Sequence, residues 1–133
     1  MMKIIQTSYN GLLIDIKLFK RITVLLDNSG TGKTFLFSIL IGYFISNSIT
    51  YGFLDFNTNP DNALDVIKAY NNVEFILLDN ADLYMTKELW EYINNAKSYF
   101  IISIKGGSNI VFSDISICNV SYTPSTLTLE PLI

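Results

Sequence analysis

The amino-acid sequence predicts an α/β fold in which a mostly parallel sheet is covered by helices on both faces. Short runs of β-branched and aliphatic residues alternate along the chain with segments of helical apolar spacing. Such alternation of strands and helices is typical of parallel strands joined by crossover helices. The 133 residues, half of them hydrophobic, suffice for one buried core, so we predict a single domain over residues 1–133.

The first two strands form a predicted β-hairpin. Residues 3–7 and 12–17 are short strand-like runs joined around Asn10 and Gly11. An Asn-Gly pair suits a tight hairpin turn, because both of its positions need positive φ. We expect this N-terminal β-hairpin to precede the main sheet.

The central elements follow in alternation. Residues 22–26 form a compact aliphatic run that predicts a strand buried on both faces, and residues 34–47 are expected to form a helix. Residues 51–55 predict the next strand. The following helix is expected to start at Asn59 and Pro60, because Asn caps helices and Pro suits the first turn.

The second half of the chain supplies further core elements. Residues 73–78 predict a strand that ends at Asp79, Thr86 is expected to cap a short helix, and residues 99–104 predict another strand. Weaker strand predictions follow Gly106 and Gly107, at residues 110–112, 115–120 and 127–129.

Charge and residue types exclude several classes of function. The 9 basic and 12 acidic residues give a net charge of −3 and form no basic stripe, so nothing supports nucleic-acid binding. The absence of histidine excludes His-based zinc clusters and triads, and a single cysteine, Cys118, excludes an internal disulfide, so we expect a reducing cytoplasm. The apolar run at residues 35–45 is shorter than the roughly 20 residues that cross a bilayer, so we expect no membrane insertion.

A glycine-bearing segment at residues 27–34 is the main candidate for chemistry, because it lies where a predicted strand turns into a helix. Backbone N–H groups of such a segment can point at phosphate oxygens, helped by the positive end of the helix. Lys33 is expected to contact the outer phosphates and Thr34 to offer its hydroxyl to Mg²⁺, with Asp79 as the acidic partner of the metal. The candidate nucleotide-binding residues are Asn28, Ser29, Gly30, Thr31, Gly32, Lys33 and Thr34.

These residues resemble the P-loop NTPase superfamily over residues 3–104. Residues 27–34 are similar to a Walker A motif, and residues 75–79, Phe-Ile-Leu-Leu-Asp, to a Walker B strand. The resemblance implies an AAA-like or ABC-like ATPase core with a three-layer P-loop NTPase-like fold, a mostly parallel central sheet and an N-terminal β-hairpin. It also implies ATP or another NTP, with Mg²⁺, as cofactors.

Several positions depart from that family pattern. Asp27 stands where the first glycine is expected, and Asn80 stands where the related ATPases carry a catalytic glutamate. Loss of a general base lowers a rate by about 10²- to 10⁴-fold. Asp82 is the remaining catalytic candidate beside Asp79, provided that the chain turns it back toward the γ-phosphate. Ser103 matches the place of a polar sensor residue, and Arg21 lies at the wrong strand end for an arginine finger.

Two functional hypotheses stay open. In the first, the chain binds ATP or another NTP with Mg²⁺ and hydrolyses it slowly or only with a partner. In the second, it is a degenerate P-loop protein, an inhibitor or regulator that docks on another protein without catalysis; its size and Asn/Ile/Lys-rich composition would fit a phage or mobile element. Both allow a protein partner or a homo-oligomer, because the composition is apolar for a domain of this size.

Overall fold

The computed structural model of the chain describes residues 2–27, 33–55, 60–105 and 114–132. Within these ranges, strands and helices alternate along most of the chain, and short 3₁₀ turns precede two of the helices. The strands are β1 (Lys3–Tyr9), β2 (Leu12–Leu18), β3 (Ile22–Asp27), β4 (Tyr51–Leu54), β5 (Phe75–Leu78), β6 (Tyr99–Lys105), β7 (Ile115–Tyr122) and β8 (Thr126–Pro131); the helices are α1 (Lys33–Ser46), α2 (Ala63–Ala69) and α3 (Lys87–Asn95).

All the described strands belong to one eight-stranded sheet, in the order β1-β2-β8-β7-β3-β6-β5-β4. The neighbours from β7 to β4 run parallel to one another. At the other end, β1 is antiparallel to β2, β8 is antiparallel to β7, and β2 and β8 are parallel. The sheet is therefore mixed.

The predicted fold class, a three-layer P-loop NTPase-like fold with a mostly parallel central sheet, is wrong. The described part of the chain forms a mixed, curled eight-stranded sheet instead. The N-terminal hairpin does not precede the sheet but belongs to it, because β8 inserts between β2 and β7 and aligns Leu127 with Ile14. This pairing was hard to predict because β7 has no continuous apolar run: only alternate residues of the strand, such as Cys118 and Val120, are buried.

The sheet curls strongly enough to bring its two ends together. A flat sheet would separate β1 from β5 by more than about 20 Å, given about 4.8 Å between neighbouring strands. Yet Lys3 Nζ in β1 lies 3.2 Å from a carboxylate oxygen of Glu74, which precedes β5. The same ammonium lies 5.5 Å from the centre of the Tyr99 ring in β6. The hairpin therefore folds back over the face that carries α1.

Helices cover the two faces of the sheet unequally. On the concave face, α1 packs against residues from β1, β2, β5, β6, β7 and β8, with Phe44 stacked on Phe75 at 4.7 Å between ring centres. On the other face, α2 and α3 pack against β3 to β6. The parallel strands therefore have apolar side chains on both faces, which explains the uninterrupted burial of β5.

Local signals in the sequence predicted several element ends. Asn10 and Gly11 both have positive φ, 49° and 82°, so the predicted hairpin turn is confirmed. The predicted cap is also confirmed, because the Thr86 hydroxyl accepts a hydrogen bond from Leu89 N at 3.1 Å. The helix predicted from Asn59 begins instead at Ala63, after a 3₁₀ turn. Asn59 itself and the weak strand at residues 110–112 lie outside the described residues.

None of the helices among the described residues has the length and hydropathy needed to cross a membrane.

Candidate functional site

The carboxyl ends of β3, β5 and β6 meet at one edge of the sheet, because these strands are parallel. Asp27 at the end of β3 is aligned with Lys105 at the end of β6. β5 ends earlier, at Leu78, and Asp79 follows it. We call the region formed by Asp27, Asp79, Ser103 and Lys105 the carboxyl edge. Ligands of parallel α/β sheets bind at such edges.

Much of the predicted phosphate-binding segment lies outside the described residues. These are Asn28, Ser29, Gly30, Thr31 and Gly32, together with the side chains of Asp27, Lys33 and Thr34. What the structure describes is the framing of the segment: β3 ends at Asp27 on the carboxyl edge, and α1 begins at Lys33. The predicted strand before the segment and the predicted helix after it are therefore confirmed.

Hydrogen bonds hold the carboxylate of Asp79 at the carboxyl edge, where only 5% of the residue is exposed. The Ser103 hydroxyl donates to Asp79 Oδ1 over 2.7 Å and accepts from the Asn80 N–H over 2.8 Å. The register explains this contact, because Leu78 is aligned with Ile102 and the next residues are Asp79 and Ser103. The structure thus brings together two residues that the sequence predicted separately.

Tyr84 lies beneath this network and joins two strand ends. Its hydroxyl lies 2.8 Å from the carbonyl oxygen of Asp79 and 3.1 Å from that of Leu54, the last residue of β4. Burial raises the pKa of Tyr84 well above its ordinary value, and the carboxylates of Asp79, Asp55 and Asp82 raise it further. The phenol therefore stays protonated and keeps donating to the strand ends.

Asn80 adopts the left-handed conformation, with φ 52° and ψ 45°. Asn tolerates this region better than other residues with a side chain. The position that resembles that of a catalytic glutamate is thus a tight turn that directs the Asn80 N–H to Ser103. A glutamate at this position would be strained as well as newly charged.

Asp82 turns back toward the end of β6; its predicted position toward a γ-phosphate stays a prediction. A 3₁₀ turn at Ala81–Leu83 carries it, and Asp82 Oδ1 accepts a hydrogen bond from the Lys105 N–H over 3.2 Å. The Lys105 N–H points to the side of β6 that faces β5, so the Asp82 carboxylate lies at the end of β6 on the side away from β3. This hydrogen bond satisfies one oxygen and fixes the side chain at the edge.

The donor set suits a magnesium ion that receives most of its ligands from elsewhere. No cluster of three or more His, Cys, Asp or Glu residues placed to hold a metal occurs in the described part of the chain. Mg²⁺ commonly uses one or two carboxylates together with substrate phosphates and water. One oriented carboxylate at a strand end, Asp79, fits that mode and does not fit a metal site made by the protein alone.

Other residues singled out in the sequence have structural roles. The Arg21 guanidinium donates to the carbonyl oxygens of Ile93, Asn94 and Ser98 at 2.8 to 3.0 Å, so it binds the end of α3 at the opposite edge of the sheet. Burial raises the pKa of the Cys118 thiol, as expected for an inert core residue. Five aromatic residues in the second half of the chain lie in or against the apolar clusters: Tyr84, Trp90, Tyr92, Tyr99 and Phe100.

Asp55 and the hydroxyl of Tyr84 are polar groups near the carboxyl edge that were not predicted from the sequence. Asp55 follows β4 as Asp79 follows β5, and its charge acts on the Tyr84 hydroxyl. An acidic residue at the end of a predicted buried strand was an available signal for Asp55. No local signal pointed to the Tyr84 hydroxyl, because its acceptors are carbonyl groups of two different strand ends.

Comparisons with protein-family models, with curated proteins and with solved structures found no significant match to this chain.

Proposed function

We propose that the chain binds ATP or another nucleoside triphosphate, with Mg²⁺, at the carboxyl edge. The observation that carries this proposal is the buried, oriented carboxylate of Asp79 at the carboxyl edge, where β6 alone separates β5 from β3, the strand that leads into the glycine segment. Asp79 and Ser103 lie at the ends of parallel strands, and β6, which carries Ser103, pairs directly with β3. The resemblance of residues 27–34 to a Walker A motif, in this framing, supports a phosphate ligand.

Each residue has a distinct task in this proposal. The N–H groups of residues 28–32 and the start of α1 attract the phosphates, and the Lys33 ammonium contacts the outer ones. Thr34 and Asp79 hold the metal, while Ser103 keeps Asp79 in one orientation. Magnesium, when bound, neutralises charge on the phosphate oxygens.

Hydrolysis is expected to be slow or to depend on a partner. Asn80 cannot accept a proton from water, and its N–H is engaged with Ser103. Asp82, in the 3₁₀ turn after β5, is the other catalytic candidate, and a hydrogen bond from the Lys105 N–H holds it at the end of β6. A partner that draws Asp82 away from Lys105 would free a carboxylate for general-base catalysis.

A second candidate is a regulator that acts by binding another protein without catalysis. The turn at Asn80 favours the regulator, because the residue after Asp79 has no carboxylate that could act as a general base. Two exposed apolar side chains on α1, Phe35 and Ile45, also favour the regulator. For either candidate we place the protein in the cytoplasm, since its one cysteine, Cys118, is a buried free thiol.

The test is an ATP titration with and without Mg²⁺ on the native chain, Asp79→Asn and Glu74→Gln. The asparagine keeps an oxygen for Ser103 but loses the charge. We expect Asp79→Asn to weaken binding about 10- to 100-fold in Mg²⁺ and to abolish the gain from the metal, because a charge-assisted contact contributes about 1.5–3 kcal/mol. Glu74→Gln removes a carboxylate at the opposite end of the same strand, 3.2 Å from Lys3, and should bind like the native chain.

Two outcomes would contradict the proposal. If the native chain binds no nucleotide, the carboxyl edge is not a nucleotide site and the non-catalytic regulator is favoured. If Asp79→Asn and Glu74→Gln bind alike in Mg²⁺, the nucleotide binds elsewhere.

A further inference from the structure

Helix α1 is mainly apolar, but only part of its surface is covered. Between Phe35 and Ser46 it carries no charged residue. Leu36, Leu40 and Phe44 are buried against the sheet, whereas an outer stripe at helical spacing is exposed, including Phe35 (37%) and Ile45 (63%). A helix that is hydrophobic all round is normally buried all round. The stripe consists of Phe35, Ser38, Gly42, Ile45 and Ser46.

The neighbouring strand β1 is a sheet edge with outward backbone groups. The backbone N–H of Leu13 donates to the Ser125 carbonyl oxygen, so the backbone N–H and C=O groups of the odd-numbered residues of β2 point to β8. Those of the even-numbered residues of β2 point to β1. In the antiparallel register, the backbone groups of residues 3, 5, 7 and 9 of β1 therefore point to β2. Residues 4, 6 and 8 point their N–H and C=O groups away from the sheet. The strand contains no proline or bulge that would block a further strand.

The outer stripe of α1 and the edge of β1 form one continuous surface. The rings of Tyr9 and Phe35 are in edge contact, 5.7 Å apart. A shallow groove of about 260 Å³ runs between the two elements and is lined by Thr7 and Ser8 from the strand and by Ser38 and Gly42 from the helix. A strand added to β1 would continue the curl of the sheet past this groove. One partner can therefore cover both the edge and the stripe, and we call them together the β1–α1 surface.

We propose that the β1–α1 surface binds a second copy of this chain, with the two β1 strands antiparallel about a twofold axis. In the register centred on Gln6, the outward groups of Gln6 pair with those of Gln6 in the second copy, and those of Ile4 pair with those of Ser8. A twofold axis perpendicular to the sheet leaves both α1 helices on the same face. Their outer stripes then meet, and the small side chains at Ser38 and Gly42 allow a close approach.

The distribution of charge makes the β1–α1 surface a better place for two copies to meet than the acidic surfaces of the molecule. Each chain has a net charge of −3 and 12 acidic residues, so two copies repel each other in general. Neither β1 nor α1 contains an aspartate or glutamate. At the centre of the proposed register the facing residue is the neutral Gln6. Asp15 of β2 lies beside Gln6 and accepts a hydrogen bond from Gln6 Nε2 over 3.2 Å, so the acidic group at this centre is set back by one strand, and no acidic side chain of β1 or α1 opposes its copy across the axis.

The test compares Gly42→Lys with Ala69→Lys in sedimentation equilibrium over a range of protein concentrations. A side chain at Gly42 has open space, with no atom within 4 Å of its Cβ, and lysine is a better helix former than glycine, so the variant should fold. Ala69 is exposed on α2, so lysine there adds the same charge on another helix. We expect the native chain and Ala69→Lys to dimerise and Gly42→Lys to have a dissociation constant at least about 100-fold higher.

Hydrogen exchange of the β1 amides identifies the surface independently of mass. In the dimer, the outward amides of Ile4, Gln6 and Ser8 should exchange slowly, and in Gly42→Lys they should lose this protection while those of Ile5 and Thr7 keep it. A native chain that stays monomeric at every concentration would overturn the proposal, even if the surface bound another protein or a membrane. A dimer that Gly42→Lys leaves intact, or whose outward β1 amides exchange freely, would overturn it as well. The proposal does not depend on nucleotide binding.

Discussion

Removal of the Ser103 hydroxyl should destabilise the protein more than removal of any comparable neutral serine contact. In Ser103→Ala, Asp79 Oδ1 loses a donor at 2.7 Å and the Asn80 N–H loses an acceptor at 2.8 Å, both at the carboxyl edge. A hydrogen bond to a charged group contributes about 1.5–3 kcal/mol, and an orphaned buried donor costs about 1–3 kcal/mol. Because the two effects share one atom, we expect a combined loss of about 2–4 kcal/mol in the free energy of unfolding.

Ser98→Ala provides the matched control. Ser98 is also a buried serine, immediately before β6, and its hydroxyl donates to the Val73 carbonyl oxygen over 2.7 Å, at the opposite edge of the sheet. No charged group is involved, so we expect a loss of only about 0.5–1.5 kcal/mol.

Urea denaturation followed by Trp90 fluorescence measures both variants against the native chain. Equal losses for Ser103→Ala and Ser98→Ala, or a neutral Ser103→Ala, would refute the reasoning that Ser103 holds a charged carboxylate. Ser103→Ala should also weaken the binding of ATP in Mg²⁺, whereas Ser98→Ala should not.

Three further predictions concern packing and ionisation in the same sheet. Gly52→Ala should lower the free energy of unfolding by about 1–3 kcal/mol in urea denaturation, because a Cβ there would lie 2.4 Å from the Tyr70 ring. The control is Gly42→Ala, which adds a Cβ in open space on a helix and should raise the free energy of unfolding by up to about 1 kcal/mol. Thr23→Val should be neutral or stabilise by about 1 kcal/mol in the same assay, because the buried Thr23 hydroxyl has no hydrogen-bond partner among the described residues; a clear loss would show that the hydroxyl is satisfied. The raised pKa of Tyr84 means that the unfolded chain releases this proton first, so stability should fall as the pH rises above about 10, and Tyr84→Phe should reduce that fall in thermal unfolding at several pH values. An identical pH dependence of the native chain and Tyr84→Phe would contradict this assignment.

Features that depend on a few adjacent residues could be predicted from the sequence. The Asn10-Gly11 turn and the Thr86 cap are of this kind, because the chemistry of each is complete within four residues. The buried strands β3 and β5 were also recognisable, since burial on both faces leaves an unbroken apolar run.

The failures concern contacts between distant segments. The place of β8 between β2 and β7 depends on register across most of the chain, and the alternating burial of these strands gives a weak local pattern. At the candidate site, the sequence indicated Asp79 and Ser103 as separate strand ends. Their hydrogen bond, and that between Asp82 and the Lys105 N–H, depend on the alignment of β5 with β6 and on a 3₁₀ turn. Sequence patterns alone do not specify such alignments.

The central claim is that the carboxyl edge and residues 27–34 together bind a magnesium nucleotide. Titration calorimetry with ATP and Mg²⁺ on the native chain, Lys33→Ala and Lys17→Ala tests it most directly, because Lys17 is exposed on β2, outside the proposed site. We expect saturable binding by the native chain and by Lys17→Ala, and affinity at least about 10-fold lower for Lys33→Ala, since one charge-assisted contact to phosphate is lost. No heat of binding in the native chain, or equal affinity in all three proteins, would contradict the claim.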